Sequence, residues 1–153
     1  MMMKFTKVAS LFAITLIFLS CDKENVKNIE SIGYGSSFGM CVGYCKNSLS
    51  ISNEKVIFEK SKNGSSPDTK TCTSVISVAE VNAIKASIDV NKLQSLPEII
   101  GCPDCADGGA EWVSITTDGK TRKVVFEYGR APEALAEAVV KLRVIKETFK
   151  DCN

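Results

Sequence analysis

Cys102-Pro103-Asp104-Cys105 sets two thiols two residues apart, the spacing at which a dithiol can cycle to a disulfide and back. That chemistry wants the attacking thiol at a helix amino terminus, where the helix lowers its pKa. Here Asp104 and Asp107 put negative charge beside it, and Gly108-Gly109 is poor material for a helix. A structural disulfide is therefore the first reading and thiol exchange the second. Together with Cys41-x-x-x-Cys45 the motif could give four thiolates to zinc, or with Met40 a soft copper(I) site. An oxidising compartment would consume the same thiols as disulfides. Asp104, Asp107 and Glu111 lack the alternating acids of an EF-hand loop, so no metal or other cofactor is expected.

Gly35-Ser36-Ser37-Phe38-Gly39 has the Gly-x-Ser-x-Gly spacing of a hydrolase elbow, which places its serine between a strand and a helix. Cysteines and a strand follow instead. The chain also contains no histidine, so the usual imidazole base for a serine or cysteine nucleophile is missing. These failures point to a non-catalytic protein.

The amino terminus carries a different chemistry. Lys4 and Lys7 precede a mostly apolar run from Val8 to Leu19, which ends at Ser20-Cys21 and is followed by Asp22, Lys23 and Glu24. This is a signal-peptide pattern, too short for a spanning helix of roughly 20 apolar residues. Phe18, three positions before the cut, disfavours an ordinary signal peptidase. Phe18-Leu19-Ser20-Cys21 instead resembles the lipobox of bacterial lipoproteins, with Phe18 where leucine is usual. The resemblance implies removal of residues 1–20 as signal peptide and acylation of Cys21. Several acyl chains would anchor the protein stably, each buried methylene contributing about 0.8 kcal/mol. Residues 21–28 then form a lipidated tether, and residues 29–153 a single domain. At roughly 3.5 Å per residue, positions 22–28 reach at most about 25 Å from the bilayer.

Removing residues 1–20 takes two lysines and no acid from a chain of net charge +1, so the remaining 133 residues carry −1. Charges of both signs are interspersed, which gives no basic face for nucleic acid. In an exported chain the even set Cys41, Cys45, Cys72, Cys102, Cys105 and Cys152 implies three disulfides.

Those cysteines must be positioned by strands and helices. Leu49 and Ile51 alternate with serines, and Val56 and Phe58 with charged residues, around a turn at Asn53-Glu54. This predicts a hairpin with Ile51 opposite Val56 and Leu49 opposite Phe58. Asp118-Gly119 predicts a second hairpin, residues 112–117 against 120–128, with Val113 opposite Val124. Residues 29–34 add a possible further strand, and the Ser, Asn, Gly and Pro of 61–70 form a loop. Ser77 with Glu80 makes a capping box opening a helix over 78–89, and Pro132 precedes a longer closing helix whose apolar residues run from Leu135 to Phe149. The expected fold is α+β: an antiparallel sheet of two hairpins plus a possible extra strand, one face covered by two helices. An all-β sandwich is the alternative.

Within that frame Cys102 pairs with Cys105. Cys45 shares strand parity with Leu49 and Ile51, which places it on the helix side near Cys72 and leaves Cys41 for Cys152. The second hairpin turns Trp112 away from the helices, together with Ser114, Thr116, Lys123 and Val125. Trp112 is then either an interaction anchor on an open sheet or peripheral core beneath residues 98–110 or the first strand.

Gly39, Cys41 and Tyr44, leading into the alternating hairpin up to residue 60, resemble the start of an uncharacterised domain of bacterial lipoproteins. That resemblance implies class and location, and no activity. The expectation is a non-catalytic cell-envelope protein, anchored to a membrane (the outer membrane favoured) and facing the periplasm or the outside. It would bind or scaffold an unidentified protein or small ligand. The alternative is a membrane-tethered thiol-redox or metal-handling protein using Cys102 and Cys105.

Overall fold

The structure, a computed structural model, describes residues 28–64 and 68–152. The signal segment, Cys21 and all of the tether except Asn28 lie outside the described residues.

Alternation of apolar and small polar residues builds one seven-stranded sheet: β1 (Ile29–Ser37), β2 (Tyr44–Ser52), β3 (Lys55–Lys62), β4 (Thr69–Val75), β5 (Ile99–Ile100), β6 (Ala110–Thr117) and β7 (Lys120–Glu127). The order across it is β4-β3-β2-β1-β6-β7-β5, antiparallel except where β5 lies parallel to β7. The helices are α1 (Val78–Ala86), α2 (Val90–Ser95) and α3 (Glu133–Glu147).

Both hairpins have the expected register, with Ile51 paired to Val56, Leu49 to Phe58 and Val113 to Val124. Asn53 and Asp118 take the left-handed backbone of their turns, at φ 52° and 51°. Two hairpins and a spare strand understate the sheet, however. The uncertain strand is β1, which runs to Ser37, pairs with β2 on one side and β6 on the other, and so joins the hairpins. β4 replaces the end of the predicted loop and forms an edge. The fold is α+β rather than a sandwich.

The capping box is present: Ser77 Oγ accepts from Glu80 N at 3.2 Å, and the Glu80 carboxylate accepts from Ser77 N at 2.9 Å. The predicted helix over 78–89 is nevertheless two helices, because α1 closes at Ser87 and Asp89 caps α2 by accepting from Lys92 N at 3.0 Å. All three helices pack on one face. There Ile32, Leu49, Ile51, Val56, Phe58, Val113, Ile115, Val124 and Phe126 meet Val81, Ile84, Leu93, Leu135, Val139 and Leu142 in one buried cluster. Burial of each such side chain contributes about 1.5–3 kcal/mol.

Candidate functional site

The strand alternation that buries one face fixes what the other displays. Register places Thr71, Glu59, Ser48, Gly35, Trp112 and Val125 in one row across β4 to β7. The next row holds Thr73, Ile57, Ser50, Gly33, Ser114 and Lys123. Neighbouring positions in a row are about 4.8 Å apart. No helix among the described residues covers this face.

Trp112 lies on it, half-buried, as the Asp118-Gly119 register predicts. The first strand, β1, packs against it. A Cβ on Gly35 would come 2.5 Å from indole Cε2 and Cζ2, and one on Gly33 would come 3.1 Å from Cζ3. The six-membered ring therefore spans both glycines and occupies the room their missing side chains leave. Lys123 Nζ sits 4.4 Å from the indole centroid, a cation–π contact.

Beside Trp112 the sheet is hollowed into a concavity of about 420 Å³, lined from β2, β3 and β7 by Lys46, Ser48, Glu59, Ser61 and Lys123 among others. The side chains of Ser37, Ser48, Ser61, Glu59 and Lys46 have no hydrogen-bond or ion-pair partner among the described residues. The site thus offers hydroxyls, a carboxylate, two ammonium groups and one aromatic plate.

On the helix side, at the residue before Trp112, lies a buried polar network. Glu111, fully buried, accepts from Arg143 Nε at 2.8 Å, from Gly129 N at 3.0 Å and from the Tyr34 hydroxyl. Burial alone would raise the Glu111 pKa, but donation from Arg143, Tyr34 and Gly129 outweighs it and holds the carboxyl below its usual range. Burial, reinforced by the bond to Glu111, pushes the Tyr34 phenol well above its usual value. This network pins α3 to β1 and β6 at the two strands that carry Trp112 and its glycine floor.

The disulfides are Cys41–Cys45, Cys72–Cys152 and Cys102–Cys105. Only the last has the expected partners. Cys45 is buried as its parity predicts, yet it cannot reach Cys72. Cys72 pairs across from Phe58, and Phe58 from Leu49, so Cys72 lies two strands away and four residues along from Cys45. That is roughly 13 Å along the strand at 3.3 Å per residue, far beyond disulfide reach. Cys72 instead meets Cys152 beyond α3, where Phe58 stacks on Phe149 at 5.2 Å.

The two short-range disulfides gather at one end of the sheet: Cys41 of the β1–β2 loop is bonded to Cys45 near the start of β2, and Cys102–Cys105 lies in the β5–β6 loop. Asp104 Oδ1 accepts from Gly39 N at 3.1 Å, and Asn63 donates to the carbonyls of Phe38 and Gly39, tying three loops together. Cys102 and Cys105 are exposed. A single 3-10 turn, Cys105–Asp107, follows, and Ala106 breaks it at φ 50°. The Gly-x-Ser-x-Gly segment runs from β1 into its loop, with no helix after it. Among the described residues no group of three or more metal-ligating side chains converges, and no helix is long and apolar enough to cross a membrane.

Sequence reasoning singled out Trp112 and Lys123 and missed Gly33, Gly35, Ser48 and Glu59. The available signal was Ser48-x-Ser50-x-Ser52 and Thr69-x-Thr71-x-Thr73, small polar residues recurring with strand period. Comparison with known proteins finds no matching family model and no matching curated protein.

Proposed function

We propose that the chain is a lipid-anchored, non-catalytic module of the bacterial cell envelope, which holds a ligand on the bare face of its sheet. The observation that carries the binding role is the Trp112 concavity. Ser37, Lys46, Ser48, Glu59 and Ser61, whose side chains bond to no described residue, stand around an aromatic plate. The anchor rests on the Ser20-Cys21 junction after an apolar run. The exported class is supported by six cysteines paired as disulfides. Thiol exchange at Cys102 and Cys105 is the weaker reading, since no helix amino terminus follows to stabilise a thiolate.

Two measurements test the proposal. Cys21→Ala should abolish acyl labelling and leave an unprocessed precursor; release of a soluble product of mature length would refute the anchor. Thiol titration of the purified native protein should find none free, and the Cys102–Cys105 bond should resist reduction at the poise of the periplasm. A pair that equilibrates at that poise would transfer the function to redox work.

A further inference from the structure

We infer that the concavity beside Trp112 is an oligosaccharide site, in which one pyranose ring lies on the indole face that carries Lys123 and its hydroxyls bond to Ser48, Glu59 and Ser61. This rests on the reading of the open face as a binding surface. The plate comes first. Because the ring spans Gly33 and Gly35 it is packed against β1, and a face of it carries the Lys123 ammonium. The negative π face that attracts the Lys123 ammonium also attracts the weakly positive axial C–H groups of a sugar ring. Lys123 is exposed and flexible, so it can swing aside to meet a sugar oxygen.

The rim comes second. Serine hydroxyls both donate and accept, as sugar hydroxyls do, and Ser37, Ser48 and Ser61 have neither role filled by a described residue. Glu59 can accept from two adjacent sugar hydroxyls at once. Glu59 stands beside Lys46 and Lys123, so charge alone does not select between a sugar and a nucleotide, and the choice of a sugar rests on the hydroxyl-rich rim. An extended peptide is disfavoured. The backbone groups of these inner strands are already paired, whereas added strands need a free edge. Finally, the hollow crosses several strands, and their spacing of about 4.8 Å is close to the advance of a sugar chain per residue. Successive residues would therefore meet successive strands.

Trp112 is the only tryptophan, so its emission reports this site alone. The full chain in detergent micelles is titrated with the hexasaccharides of N-acetylglucosamine, glucose (both β1,4 and α1,4 linked) and galacturonate, with adenosine monophosphate and an acidic hexapeptide alongside. At least one hexasaccharide should shift Trp112 emission to the blue, saturably, and protect it from iodide. Glu59→Gln and Ser48→Val, both on the exposed face and both keeping the reporter, should weaken that response at least tenfold. Saccharide binding that neither variant weakens would overturn the assigned site. A response to the nucleotide or peptide alone would overturn the ligand class while leaving the binding module standing, and silence toward every probe would remove both.

Discussion

The two faces of the sheet are written by the same strands and obey opposite rules. In β2, Leu49 and Ile51 are buried against the helices while Ser48, Ser50 and Ser52 point the other way. In β6, Glu111 is buried beneath α3 with every oxygen partnered, and Trp112, the next residue, lies half-open on glycine beside groups with no partner. The helix face spends its side chains on one another. On the open face Ser48, Ser50, Glu59 and Ser61 bond to no described residue, whereas Thr116 and Thr121 bond to each other.

Substitutions in adjacent residues of β7 test that contrast most strongly. Phe126 is fully buried in the core cluster, and Phe126→Ala should destabilise by about 3–5 kcal/mol. Val125 beside it faces the open side, and Val125→Ala should cost under about 1 kcal/mol. Urea denaturation of both measures the difference, and comparable losses would show that the open face is core.

The disulfides divide the same way. Cys72–Cys152 bridges 80 positions and ties an edge strand to the end of the helix layer. Replacing both cysteines by Ala should cost roughly 4 kcal/mol in the chain-entropy picture. Cys41–Cys45 closes a separation of four between the β1–β2 loop and the start of β2, and its removal should cost about 2 kcal/mol. Non-reducing peptide mapping checks the pairing, and melting of the two double variants checks the order.

How far the sequence disclosed this arrangement depended on which face carried the signal. Both hairpin registers were legible because Leu49, Ile51, Val56 and Phe58, like Val113 and Val124, repeat with period two beside favourable turn dipeptides. The Ser77-Glu80 box was legible because capping is local. β4 was not, since an edge strand whose residues are nearly all exposed shows no apolar alternation. Missing it removed the strand that carries Cys72, so the parity argument for Cys45 was right about burial and wrong about the partner. The Trp112 register followed from Asp118-Gly119, but its glycine floor did not. That Gly33 and Gly35 lie under the indole depends on β1 pairing with β6, across 77 or more positions of sequence.

The buried carboxylate gives the helix face a pH signature. Glu111 has a depressed folded pKa, so the unfolded chain binds more protons between that value and about 4.3, and stability rises with pH through this window. Its contribution is complete above the unfolded value and is lost as pH falls through the folded one. Glu111→Gln should therefore be less stable at pH 7 by about 1.5–3 kcal/mol, with the gap narrowing in acid. Tyr34 acts at the other extreme: its raised folded pKa means its contribution is lost as pH climbs above about 10. Chemical denaturation across pH 3–8 and 9–11 follows both, and a pH-independent gap for Glu111→Gln would contradict the ionised network.

The smallest expected effect separates the faces within three consecutive residues. Ser48 and Ser50 flank Leu49 on β2, and all three share the same backbone ladder, so differences in strand propensity or edge fraying cannot distinguish them. Leu49 is buried beneath the helices, and Leu49→Ala leaves a cavity costing about 2–5 kcal/mol. Ser48→Ala and Ser50→Ala remove hydroxyls that bond to no described residue, so neither desolvation nor a lost partner penalises the change. Each should shift stability by no more than about 0.5 kcal/mol in either direction. Guanidinium titration of the three variants resolves this. If Ser48→Ala destabilised as much as Leu49→Ala, its hydroxyl would be a structural bond, and the open face could not be holding it in reserve for a ligand.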